Sequence, residues 1–504
     1  MLATPSEAPP RGRAVPRPAD ASARVAVVRA AAVAVLVLLL LVIGVLPWAG
    51  DLGMHAATVE RLRHHLLRPG NPLVDADTPS PYYSPWTLLL GCVARGTGVS
   101  VFLVLRFAAL AGLGLLATGV WRYVRTLSAH RAAPALAALC LVLLWGTAPI
   151  NWSGFLGLNS LALTVSYPSV FALGLAFHFW AWLARAVTRP AGWAGWLGLG
   201  GLWAAILLCH QFTGVVATLG AVAAVLAAWP ARAVWPRLAS GVALGLLALW
   251  LWPYYDFFAL FTAGADLEAV HRALYSDLAG RYWLALPGVA ALALRWRRDR
   301  WDVLVLFFLL GTLMCAAGWA SGHYSWGRAA PAALIPAQLA AALEAVEGGR
   351  RAMRRRRAWV LAAALAVGAW AQAGVLGYVV GRSALPELLA ANYTPPWTGY
   401  GWITPYVPYG DVVMARTAAS RMIPAYGAYT VAPGYPDFFL PDEERRRAAV
   451  REYFAPGTAD GVRRDILRRY GVRWVVDRQE AAPGAGLREV TRGPDGQVLY
   501  AVVG

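Results

Sequence analysis

Between the first long apolar run and the next lies a segment, Asp51–Trp86, crowded with groups that hydrocarbon cannot hold: Asp51, His55, Glu60, His64, His65, Asp75 and Asp77. A carboxylate at the mouth of a membrane span can deprotonate an incoming hydroxyl or hold a divalent cation. Asp51 stands just past the apolar run and His55 follows four residues later, so a helix starting there turns both to one side. The competing role for Asp51 is to cap that helix. Asp75-Ala-Asp77 is a DxD triplet, which admits a divalent cation and equally describes a solvated loop. Ser80-Pro-Tyr-Tyr-Ser-Pro-Trp86 adds proline turns and aromatic rings, the residues that gather at a membrane–water boundary.

Further candidates sit in later connections. His210-Gln211-Phe212-Thr213-Gly214 is a short turn between two apolar runs, and an ionisable group at that depth is a functional candidate; a histidine satisfied by a neighbour is the alternative. The connection GHYSWGR brings His323 and Arg328. Arg272 has Asp266, Glu268 and Asp277 close by, whereas Arg328 has no acid near it in sequence. A guanidinium without an acid at a span entrance suits a phosphate, which its planar fork grips with two hydrogen bonds. Snorkelling to the interface is the alternative.

The elements that must position these groups are membrane helices. Of 504 residues, 59% are hydrophobic and 14% charged, against about 25% charged in soluble domains. The formal charge is +18, yet lysine is absent and every cation is arginine; lysine Schiff-base chemistry and the P-loop lysine are excluded. The arginines cluster in short connections such as RWRRDR and EGGRRAMRRRR, the pattern of cytoplasmic loops rather than of a nucleic-acid surface. Cys92, Cys140, Cys209 and Cys315 lie in or beside apolar runs, which argues against disulfides or a zinc site.

Eleven spans are expected, at about 25–48, 97–120, 132–149, 161–184, 192–209, 213–230, 238–253, 280–294, 301–319, 329–346 and 358–380. Residues 1–24, rich in Pro, Ala and Arg, read as a disordered cytoplasmic leader, and Pro85–Ala94 as a short re-entrant or interfacial piece. An odd number of spans with the arginines inside puts the loop 51–85 and the tail 381–504 outside. The tail reads as a small α/β domain: a strand in AYTVAP, a helix Asp460–Tyr470, a strand RWVVD, and a hairpin of LREVT and VLYAVV around Pro494-Asp495-Gly496. The fold class is thus a polytopic α-helical membrane protein with a small extracytoplasmic α/β domain.

Gly50-Asp51-Leu52-Gly53-Met54-His55 after the first span, then Asn71-Pro72, Ser80–Pro85 and Tyr470-Gly-Val-Arg-Trp-Val-Val476 in the tail, resemble the GT-C class of polyprenyl-phosphate-sugar glycosyltransferases. The WWDYG signature of oligosaccharyltransferases is absent. The resemblance implies sugar transfer from a polyprenyl-phosphate donor to an envelope glycan, lipid or protein at the outer membrane face, with Asp51 as catalytic base or metal-associated acid. His55, Asp75, Asp77, His210, His323 and Arg328 are the expected substrate-binding residues, Arg328 on the loop argument alone. The alternative function is a transporter or flippase of a lipid-linked substrate, which calls for mid-span charge and inverted repeats; Arg106 and His178 are the few mid-span candidates.

Overall fold

The computed structural model describes residues 18–189, 191–261, 265–347, 350–478 and 486–503. Seven helices among them are long and apolar enough to cross a bilayer: Ala23–Val45, Val101–Leu127, Pro168–Thr188, Gln211–Ala228, Arg232–Trp250, Val303–Ser321 and Tyr324–Glu347. An eighth passage is bent by 48°, Ala352–Ala371 followed by Ala373–Val380. The other three expected spans are shorter helices: Ala133–Leu143 with 11 residues, Trp193–Cys209 with 17 and Leu286–Arg298 with 13. At about 1.5 Å per residue the shortest covers roughly 17 Å of a ~30 Å hydrocarbon core. Apolar composition had merged helix and irregular backbone into one run: after Leu143 the chain runs without regular helix to Leu158.

The first helix, α1, spans Pro18–Val45. It takes in the end of the expected leader, whose residues 1–17 lie outside the described residues. The polar segment after it folds into two short helices, α2 (Leu52–His64) and α3 (Pro85–Thr97). α3 begins sharply because Ser84 and Thr87 cap it reciprocally and Pro85 opens it, a pairing that satisfies two orphan N–H groups at once. His210 breaks the chain between Trp193–Cys209 and Gln211–Ala228, as its polar turn predicts.

The C-terminal part is an α/β unit on a five-stranded sheet: β1 (Val412–Ala415), β2 (Tyr429–Thr430), β3 (Val472–Arg478), β4 (Leu487–Arg492) and β5 (Gln497–Val502), in the order β2-β1-β3-β5-β4. β1 runs parallel to β2 and β3, while β5 is antiparallel to β3 and β4. Helices Glu443–Tyr453 and Asp460–Arg469 bury Ala449, Val450, Ile466 and Leu467 against Val475 and Tyr500. The expected strand at 428–433 shortens to Tyr429–Thr430, and β1 had no counterpart in the sequence reading.

This unit is bound tightly to the segment after α1. Arg61 of α2 is fully buried and donates to the carbonyls of Gly427 at 2.9 Å, Ala428 at 2.7 Å and Pro72 at 3.4 Å. Its guanidinium lies 3.6 Å from the ring centre of Tyr429 and 4.8 Å from that of Tyr409. Asp437, also fully buried, accepts from Asn71 at 2.9 Å and Ser80 at 2.8 Å. Buried charges survive when hydrogen bonds replace the water they lose. Here the replacements cross from one unit to the other.

Candidate active site

The backbone that carries Asp51 is fixed from two sides. Tyr167, which precedes the helix Pro168–Thr188, donates its hydroxyl to the Ala49 carbonyl. Tyr435 of the C-terminal unit donates to the Gly50 carbonyl at 2.6 Å. Gly50 takes φ +52°, and a Cβ there would lie 3.3 Å from the Tyr167 hydroxyl, so glycine serves both the turn and the contact. A Cβ on Gly53 would fall 1.9 Å from the Arg421 carbonyl oxygen; the first turn of α2 lies against the C-terminal unit only because no side chain intervenes.

Asp51 occupies the cap position of α2, but its side chain makes no capping hydrogen bond. It is free for another role. Its carboxylate lines a cavity of about 280 Å³ shared with His55, His210, Arg328, Tyr82 and Tyr435. Burial raises the Asp51 carboxyl above its ordinary value, while the charges of Arg328 and then Arg421 pull it partway back. His55, one turn along α2, is buried edge-on against Tyr167 and Trp86, with ring centres 4.7 and 5.6 Å apart. Burial lowers its pKa to about 3, so its ring is neutral at physiological pH.

Arg328 enters the cavity from a 3-10 turn, Tyr324–Ala329, pinned by Glu268 accepting from the Ser325 amide and hydroxyl, both at 2.7 Å. One terminal nitrogen donates to the Ser153 carbonyl and hydroxyl, each at 2.9 Å. The guanidinium packs over Phe212 at 4.6 Å and Trp152 at 5.0 Å. Its buried Nε has no hydrogen-bond partner among the described residues. A buried N–H left unpaired costs about 1–3 kcal/mol, a cost that an anionic ligand would relieve. His210 caps Gln211–Ala228: its Nδ1 accepts from the Thr213 amide at 3.2 Å. That bond assigns the proton to Nε2, which lies 3.4 Å from the Ser153 hydroxyl. Ser153 therefore links His210 to Arg328.

The structure gathers Asp51, His55, His210 and Arg328 and leaves the other expected residues outside. Asp75 and Asp77 are exposed and do not line the cavity. His323 is exposed, stacked on Trp326 with ring centres 5.4 Å apart and 3.0 Å from the Ser321 hydroxyl. Among the described residues no three His, Cys, Asp or Glu side chains converge as a metal site. Asp51 is the carboxylate lining the cavity that a divalent cation would share with a ligand phosphate. Sequence reasoning missed Ser153, His271, Tyr167 and Tyr435, which also line the cavity. The polar run Asn151-Trp-Ser-Gly154 at the end of an apolar stretch was the one available signal.

No protein-family model and no curated protein sequence matches this chain. Solved structures do. The chain superposes on the arabinofuranosyltransferase AftD from Mycobacteria with TM-score 0.57 and 17% identity, covering 95% of this chain and 40% of that one. ArnT from Cupriavidus metallidurans matches in the apo state with TM-score 0.56 and 16% identity, over 96% of this chain and 98% of that one. ArnT bound to undecaprenyl phosphate matches with TM-score 0.54 and 15% identity, over 95% and 98% of the two chains. The chain has the GT-C fold of these membrane glycosyltransferases.

Proposed function

We propose that this chain is an integral-membrane glycosyltransferase that moves a sugar from a polyprenyl-phosphate donor to a hydroxyl of an envelope glycan, lipid or protein at the outer membrane face. The observation that carries this reading is the meeting of an uncapped carboxylate, Asp51, with a buried arginine, Arg328, in one cavity. In this reading Asp51 accepts the acceptor hydroxyl's proton as the oxygen attacks the anomeric carbon. The bond from that carbon to the phosphate oxygen breaks, and the polyprenyl phosphate leaves with the electron pair. Arg328 faces the charge that develops on the leaving phosphate, where a preorganised donor is worth most. Neutral His55 offers hydrogen bonds to sugar hydroxyls, while His210 steadies Ser153 beside Arg328.

The undecaprenyl phosphate held by ArnT supports the donor class, and the arginine-rich connections support an outward-facing site. The test is transfer by the purified chain offered labelled polyprenyl-phosphate sugars and an envelope-lipid extract. Labelled product supports the reading. Uptake into vesicles without transfer from any donor would replace it with transport.

A further inference from the structure

We propose that a second cavity, on the C-terminal unit, binds an anionic saccharide that serves as the acceptor; the word acceptor rests on the transferase reading, the binding does not. The cleft, about 790 Å³, lies between the loop Pro395–Tyr400, the residues from Arg416 to Met422, and the facing parts of β3 and β5. That volume falls within the range of dedicated ligand pockets.

Its walls carry the groups that hold a charged sugar. Half-buried Trp397 supplies an aromatic ring, with buried Tyr400 behind the wall; the electron-rich face of such a ring attracts the polarised C–H edges of a sugar. Asp477 and Asp495 supply acceptors for sugar hydroxyls; Asp495 already takes the Thr398 hydroxyl at 3.1 Å. Of the three arginines, Arg416 is paired with Asp477 at 3.2 Å. Arg421 and Arg478 have no carboxylate partner among the described residues, which leaves two guanidiniums for a carboxylate or phosphate on the ligand.

Arg421 ties the cleft to Asp51. Its Nε donates to the Gly434 carbonyl at 3.1 Å, which leaves its terminal nitrogens without a protein acceptor among the described residues. The guanidinium sits 5.9 Å from the ring centre of Trp397, which lines the cleft, and 5.6 Å from that of Tyr435, which lines the Asp51 cavity. Arg421 thus lies beside a ring of each space, and its charge acts on the Asp51 carboxyl.

The experiment is calorimetric titration of the full chain in lipid nanodiscs with tetragalacturonate, neutral maltotetraose and inorganic phosphate. Tetragalacturonate is expected to bind at least about tenfold more tightly than the neutral sugar. Trp397→Ala and Arg478→Ser are each expected to weaken it by about tenfold; Arg478 is exposed at the end of β3, so its variant keeps the fold. Equal binding of both sugars, full displacement by equimolar phosphate, or unchanged binding in both variants would overturn the proposal. A wild type that binds tetragalacturonate yet releases no sugar from any donor would refute the transferase reading and leave the cleft standing.

Discussion

Tyr435 reaches from the C-terminal unit to donate its hydroxyl to the carbonyl of Gly50 at 2.6 Å, one residue before Asp51. The carboxylate of the site is therefore placed by a residue almost four hundred positions away in the chain. Removing that hydroxyl should loosen Asp51 without changing the cavity's charge. Tyr435→Phe is expected to lower kcat by about tenfold with donor KM unchanged, the split that marks a positioning residue. Its stability should fall by about 1 kcal/mol, the net worth of one hydrogen bond. A raised KM with kcat intact would instead place Tyr435 in direct contact with the donor.

In the proposed reading Asp51, as the general base, sets the pH dependence. Burial raises its carboxyl above 3.8, and a general base must be deprotonated. The rate kcat/KM is expected to climb with pH through this raised value and level off above it, with the limb missing in Asp51→Asn. The sign for stability is the reverse. A raised pKa in the fold favours the proton, so this contribution is present below the unfolded value and is lost as pH rises through the folded one. Asp51→Asn should therefore unfold at a higher temperature than wild type at neutral pH. A lower Tm would show that the carboxylate is a stabilising partner rather than a strained one.

Arg328 tests the phosphate. Its contacts to Ser153 and its seat over Phe212 use the planar fork, which lysine cannot reproduce. Arg328→Lys is expected to lose about a hundredfold or more in kcat/KM, most of it in kcat, because the leaving phosphate gains charge in the transition state. Kinetics within a fewfold of wild type would remove Arg328 from the chemistry.

Arg61 tests the joint between the two units. Arg61→Met would strand the carbonyls of Ala428 and Pro72, while Gly427 keeps the Gly410 amide at 2.9 Å. Each unpaired buried group costs about 1–3 kcal/mol, so a loss of at least about 2 kcal/mol is expected. Thermal unfolding of the detergent-solubilised variant reads it directly. An unchanged Tm would mean that water replaces the guanidinium at no net cost.

Much of this was readable from residue types alone, and the remainder fails for identifiable reasons. Asp51 and His55 stood out because polar groups followed an apolar run at helical spacing, and His210 because it broke two such runs. Arg328 showed itself as an arginine without an acid nearby, and the fold leaves its Nε without a partner among the described residues. Asp75 and Asp77 stay outside the cavity, since local spacing says nothing about direction: the turn that buries Asn71 and Ser80 on Asp437 leaves both acids exposed. The expected spans at 132–149 and 280–294 proved short because hydrophobicity reports burial and not helical continuity; the irregular stretch past Leu143 delivers Ser153 to the cavity. Tyr435 and Arg421 were invisible, since contacts made across hundreds of residues leave no periodic trace.

The most direct measurement is sugar transfer by purified wild type and Asp51→Asn side by side, from the same labelled polyprenyl-phosphate donor, with folding of both checked by thermal unfolding. Loss of a positioned general base is worth about 10²–10⁴ in rate. The account predicts transfer by wild type and a loss of that order in a variant at least as stable. Transfer retained in the folded variant would contradict it and move the base to another residue of the cavity.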